Sequence, residues 1–260
     1  MTKNLLIGSI AAFVILGGII FYAATKPLPA AAPTMTLPGN SYSEHTPYYD
    51  IAANYATSTP LLADVGPAAN AAAVALMNKF VGDTVTQFKT DGNFANLTQN
   101  DIRVMGFNQD HKEKLQIVYL IASSPHTVSY IYTTYEDTFG AHGNTFFKTF
   151  TFDTDPSTSS GRAGEPLSLA DVFLPGSSYL ETLSGLARAQ LPGVIGSGMS
   201  AQMLDNGTTA EDKNFAAFFF DNKDFVILFA PYAVAPYAAG PQTLRIPVAQ
   251  LANILKPEYR

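Results

Sequence analysis

Four histidines, His45, His111, His126 and His142, are the first side chains to test for chemistry. No two of them stand four residues apart, so the chain lacks the HExxH or HxxxH spacing that sets two imidazoles on one helix face around a metal. There is no cysteine, which removes disulfides, thiolate nucleophiles and Cys-held zinc. Neither a GxSxG turn, a Walker loop nor a GxGxxG stretch occurs. No metal, no cofactor and no catalytic set is therefore expected. His142 has the most room to act: it sits in Gly140-Ala141-His142-Gly143-Asn144, shortly after Glu136 and Asp137. Glycines on both sides let the backbone turn tightly and free the imidazole to approach a partner. With a carboxylate nearby it would transfer protons or hold a ligand. The simpler use of the same loop is an imidazole that bonds a strand end.

A second segment, Ala230 to Pro241 (APYAVAPYAAGP), is too rich in Pro and Gly for a central strand and too apolar for a solvated loop. Its Tyr232 and Tyr237 suit either rigid amphipathic anchors for a protein or glycan partner, or a crossover whose rings close the core. His142, Gly140, Gly143, Tyr232 and Tyr237 are accordingly the candidate partner-binding residues. Thr151 to Asp155 (TFDTD) resembles a metal motif of polysaccharide deacetylases, but its partner HxxxH is missing and a strand end is expected there. Asp110 to Lys114 (DHKEK) reads as a solvated charged turn.

The elements that must position these residues follow from periodicity. Leu5 to Ala24 is an uncharged run of about 20 residues, long enough to cross a bilayer as a helix. It exceeds the usual apolar stretch of a cleaved signal and lacks a clean cut site, so an uncleaved single-pass anchor is expected. Lys3 precedes it, and after Lys26 no Lys or Arg appears until Lys79, which places the short tail in the cytoplasm and the body outside. Pro27 to Gly39 reads as a stiff spacer. In the body, Tyr48 to Tyr55 alternates as a strand. Pro67 opens a helix carrying Val74, Met77, Val81, Val85 and Phe88 at helical spacing. Four consecutive, mostly antiparallel strands are predicted at 102–105, 115–122, 127–135 and 145–153. A helical turn at 169–173 and a helix capped by Ser178 and Glu181 and stopped by Pro192 come next. Strands at 216–220 and 225–229 flank a tight turn at 221–224, and a strand at 243–246 precedes a last helix at 248–255. The class is α+β, a mostly antiparallel sheet with helices on one face. A net charge of −6 removes nucleic acid as a partner, because phosphate binding needs a basic face.

The segments Tyr135-Glu136-Asp137, Gly140 to Asn144, Phe150 to Asp153, Leu167 to Phe173, Asn214-Phe215 and Phe229 to Gly240 together resemble a bacterial domain-of-unknown-function family. That domain closes RsiV-type anti-sigma factors and occurs in PdaC-type peptidoglycan deacetylases. Residues 48–88 resemble the module that usually precedes it. Phe139 departs from the family, which usually has glycine there. The implied organisation is a tail and anchor at 1–26, a spacer at 27–41, a companion module at 42–110 and the family domain at 111–260. With four residues before the anchor and no deacetylase domain, neither sigma-factor binding nor deacetylation is expected. The resemblance implies a membrane-anchored, extracytoplasmic binding module that recognises a lysozyme-like protein or peptidoglycan. The alternatives are a cell-wall hydrolase using His142 with a carboxylate, and a structural part of an envelope complex.

Overall fold

The computed structural model describes residues 40–57, 66–155 and 164–260. The anchor and residues 27–39 of the spacer lie outside them, whereas Asn40 and Ser41, expected to end the spacer, open the first strand; among the described residues no helix is long and apolar enough to cross a membrane. The fold is α+β, built on two sheets rather than one. The first holds β1 (Asn40–His45), β2 (Tyr49–Tyr55), β3 (Glu113–Ser123), β4 (Thr127–Asp137) and β5 (Asn144–Asp153) in that spatial order. β2 and β3 pair in parallel and the other neighbours antiparallel. The crossover between β2 and β3 carries α1 (Pro67–Asp91), with Pro67 in its first turn as predicted. Ala73, Met77, Val81, Val85 and Phe88 form its buried stripe against Ile51, Leu115, Ile117, Tyr130, Tyr132 and Phe152.

The strand predicted at 102–105 is instead α2 (Gln99–Met105). Thr98 and Asp101 cap each other's backbone N–H groups and Gly106 ends the helix at φ 69°. These bracketing signals outweigh the short Ile-Arg-Val alternation between them. The charged turn predicted at 110–114 gives way to β3 at Glu113, whose side chain is only 3% exposed.

The second sheet has the order β6 (Phe218–Asp221), β7 (Asp224–Phe229), β8 (Gln242–Pro247), all antiparallel. The tight turn at 221–224 is present, with Asn222 left-handed at φ 55° and Arg245 bonding both Asp221 (2.7 Å) and Asp224 (3.2 Å). One face packs on α3 (Leu169–Val172), α4 (Tyr179–Ile195) and α7 (Val248–Leu251), reached through α5 (Ala201–Gly207) and α6 (Asp212–Phe215). The other face meets the first sheet through Ile131, Phe219 and Val226. The layers therefore run helix, sheet, sheet, helix. Pro192 does not stop α4: it forfeits one backbone bond, and the helix runs three residues further to Ile195, where Gly196 at φ 69° ends it. Ser178 makes no side-chain cap there, and the last helix is a single turn, 248–251, shorter than predicted.

Candidate functional site

The two segments singled out by sequence meet at one point. The β4–β5 loop carries His142, and the β7–β8 connection carries Tyr232 and Tyr237. The imidazole lies flat on the Tyr237 ring, centroids 3.5 Å apart and planes inclined 14°. Its Nε2 is 2.9 Å from the Tyr232 hydroxyl, across 90 residues of sequence. Its Nδ1 is 3.1 Å from the Gly143 carbonyl, which also accepts the Tyr237 hydroxyl at 2.7 Å. A carbonyl only accepts, so Nδ1 carries the proton and, in the neutral ring, Nε2 receives the Tyr232 O–H. One carbonyl thus fixes both rings of the stack.

Two glycines allow the approach. The tip of the Tyr135 ring occupies the space a Cβ at Gly143 would need, and the Ala233 carbonyl occupies that of Gly207 at the end of α5. Gly207 was not marked by sequence, because its close contact is with a segment far along the chain. Gly140 is exposed, and a Cβ there would make only ordinary contact with the His142 carbonyl at 3.5 Å.

Two large residues at this surface carry left-handed backbone. Tyr232 has φ 69° while 52% exposed, and Phe139 has φ 61°. Left-handed backbone costs a non-glycine residue roughly 1–2 kcal/mol. A φ of that size is one that glycine adopts without steric cost. Phe139 is held by stacking on His111 (3.9 Å, 17°) and by the tilted ring of Phe107 at 5.2 Å. Tyr232 is held by its hydroxyl bond to His142 and by tilted ring contacts with His142 at 5.7 Å and Tyr237 at 5.5 Å.

Glu136 and Asp137, the carboxylates offered for His142, make no hydrogen bond to it among the described residues. They belong to an acidic corner with Glu113. Burial raises the Glu113 carboxyl above its ordinary value, and Glu136 and Asp137 raise it further. Burial, then Asp91, raises that of Glu136. No group of three His, Asp or Glu side chains suited to a metal occurs among the described residues. Beside the aromatic cluster, a cleft of about 250 Å³ opens between β5 and the segment around α6 and the end of β7.

Residues 170–249 match the family described as "Protein of unknown function (DUF3298)", so the resemblance read from the Tyr-Pro-rich closing segment holds. The chain is 30% identical over 156 residues to "Peptidoglycan-N-acetylmuramic acid deacetylase PdaC" of Bacillus subtilis (strain 168), covering 58% of this chain. It spans only 32% of that protein's length. A crystal structure of a DUF3298 family member from Bacteroides fragilis aligns with a TM-score of 0.52 at 17% identity, covering 87% of this chain and 93% of the other. That likeness shows the shared fold. A DUF3298 family protein from Pseudomonas aeruginosa aligns at 0.46 and 15% identity, covering 89% and 97%.

Proposed function

We propose that this chain is a membrane-tethered recognition module on the outer side of the cell envelope, and that its His142–Tyr232–Tyr237 face holds peptidoglycan. The observation that carries the reading is the meeting of three aromatic side chains from two distant segments, His142 and Tyr237 bonded to one carbonyl and Tyr232 bonded to the imidazole, with Tyr232 presented to solvent. Rings locked in this way offer flat apolar faces with polar edges and little side-chain freedom left to lose on binding. The similarity to part of a protein named for peptidoglycan supports the choice of ligand. The apolar run at 5–24, the Pro-rich spacer and the scarcity of Lys and Arg after Lys26 support the anchor and its direction. Residues 42–110 serve in this reading as the companion module of the binding domain.

Co-sedimentation of the full chain, in detergent, with insoluble peptidoglycan tests it. Saturable retention that falls at least about tenfold for Tyr232→Ala or Tyr237→Ala is expected, the loss of one hot-spot anchor. No retention overturns the reading. Binding to soluble lysozyme alone would make the partner a protein instead. Assays for released reducing ends and acetate, run alongside, are expected to stay at background.

A further inference from the structure

Beyond the contact of Ile131 with Phe219 and Val226, the two sheets leave the cleft of about 250 Å³ between them. Register fixes its walls. Thr149 is paired with Ile131 across β4–β5, so Thr149, and Phe147 two residues before it, face the second sheet. Leu228 stands two residues after Val226 and walls the cleft from that sheet, beside Ala217, whose carbonyl accepts its N–H at 2.9 Å. Ala230 and Ala233 wall it too, and they are the two ends of one turn. Ala233 N–H donates to the Ala230 carbonyl at 3.0 Å, with Pro231 second and left-handed Tyr232 third in the turn. The turn whose base walls the cleft therefore projects Tyr232 onto His142, which makes cleft and aromatic stack one continuous surface.

Two polar side chains of the cleft keep bonding capacity. Thr149 is 8% exposed, and its hydroxyl has no hydrogen-bond partner among the described residues. The sealed, unpaired side-chain atoms of those residues belong to Asn78, Tyr132 and Arg245, so the Thr149 oxygen stays open to the cleft. Asn214 meets the Thr209 carbonyl at 3.0 Å and Thr209 Oγ1 at 2.7 Å. A carbonyl only accepts, so the amide nitrogen faces Thr209, and Asn214 Oδ1 has no partner among the described residues. A buried hydroxyl left unpaired costs stability, and a ligand that bonds it restores the loss.

We propose, resting on the peptidoglycan reading, that this cleft seats one small, neutral, methyl-bearing secondary amide of that ligand, bonded by the Thr149 hydroxyl. Volume sets the size, since the cleft falls below the roughly 300–1,000 Å³ of pockets that take drug-sized ligands. Walls of Ala, Leu and Phe suit a methyl group. Thr149 supplies a donor and Asn214 an acceptor, the two roles that an amide C=O and N–H require. Charge plays no part in the selection. No carboxylate lines the cleft, Lys213 is paired with Glu211 at 2.5 Å, and the Lys148 ammonium lies on the other side of β5, over the Phe150 ring at 5.2 Å. Peptidoglycan offers this chemistry twice, in the acetamido groups of its sugars and in the alanyl residues of its stem peptides.

The test is co-sedimentation of the full chain, in detergent, with insoluble peptidoglycan in three forms: intact, chemically N-deacetylated, and stripped of stem peptides. Weaker retention on the second form puts the acetamido group in the cleft; weaker retention on the third puts an alanyl residue there. Thr149→Val keeps the shape of the side chain and removes its hydroxyl. It should weaken retention on intact peptidoglycan about two- to tenfold, the worth of one hydrogen bond, with Tm no lower than that of the unmodified chain. Ala217→Leu fills the cleft without touching the His142 stack and should weaken retention at least as much. Unchanged retention on both treated forms overturns the proposal, and so does unmodified affinity in both variants. A lower Tm that accompanies the lost retention of Thr149→Val marks the hydroxyl as structural and overturns it too. If Tyr232→Ala still abolishes retention in any of these cases, the aromatic face stands without the cleft. No retention of the unmodified chain on intact peptidoglycan removes both.

Discussion

Tyr232 carries a left-handed φ of 69° with half its surface in solvent, so glycine and alanine at this position should differ with an inverted sign. In ordinary backbone, glycine is less stable than alanine by roughly 0.5–1 kcal/mol, because the unfolded chain has more freedom to lose. At φ 69° alanine keeps the clash of its Cβ, worth roughly 1–2 kcal/mol, and glycine does not. Both substitutions delete the same ring and the same 2.9 Å bond to His142, so those losses cancel in the comparison. The difference that remains favours Tyr232→Gly over Tyr232→Ala by about 0.5–1 kcal/mol. For a body of this size that is about 1–4 °C in Tm, within reach of calorimetry and of urea titration on the purified chain. Both variants should lose peptidoglycan retention alike, because neither presents the ring. Strain kept at an exposed aromatic is the mark of a site held for use rather than for stability. Should Tyr232→Ala prove the more stable of the two, the backbone is not strained and this argument for function fails.

Gly207→Ala drives a methyl into the Ala233 carbonyl, which cannot yield without moving the Tyr232 segment. A stability loss of about 2 kcal/mol or more, together with lost retention, is expected by thermal unfolding and co-sedimentation. Phe139→Gly relieves the left-handed angle but gives up the His111 and Phe107 ring contacts, at roughly 0.5–1.5 kcal/mol each, for a net loss of about 1 kcal/mol in urea. Hydrogen bonds from Lys89, Tyr42 and Tyr49 hold the Glu44 carboxyl down at about 2, so its contribution is present above pH 4.5 and lost as pH falls towards 2. Glu44→Gln should flatten the acid limb of the stability curve in that window and cost about 1 kcal/mol at neutral pH, given its partial exposure. Glu113 has the opposite sign: its raised carboxyl destabilises the fold as pH rises above its unfolded value. Glu113→Gln should therefore raise Tm at pH 7 and leave it unchanged near pH 4, which paired melts would show.

The two local signals of the site were legible, and their meeting was not. A glycine-flanked histidine and a pair of tyrosines among prolines each stand out within a dozen residues. Their union depends on how β4–β5 and β7–β8 are stacked, which no local period encodes. Strands with buried alternation, 115–122, 127–135 and 145–153, were found to within two residues. Where a short alternating run lay inside helix caps, as at Thr98 to Gly106, the caps decided and the period misled. The parallel β2–β3 pair follows from a strand, a long helix and a strand in succession, a pattern that an expectation of antiparallel neighbours hid. That β5 ends its sheet could not be read at all, because an edge is defined by which strands are absent beside it.

The engagement of His142 bears on what the face can do. A general base must keep a lone pair free for a substrate proton. Here Nδ1–H is committed to the Gly143 carbonyl, and the Nε2 lone pair receives the Tyr232 hydroxyl. Among the described residues no carboxylate bonds the ring to strengthen it as a base. What remains outward is the phenol oxygen of Tyr232, with lone pairs to accept, and the exposed surface of its ring. Those are the attributes of a surface that orients a sugar or a peptide bond. A His142→Gln variant would keep one donor and one acceptor at this point but not the flat ring under which Tyr237 is stacked. If retention on peptidoglycan falls with that exchange while the fold persists, the imidazole serves by its shape, and the stack is the binding surface itself.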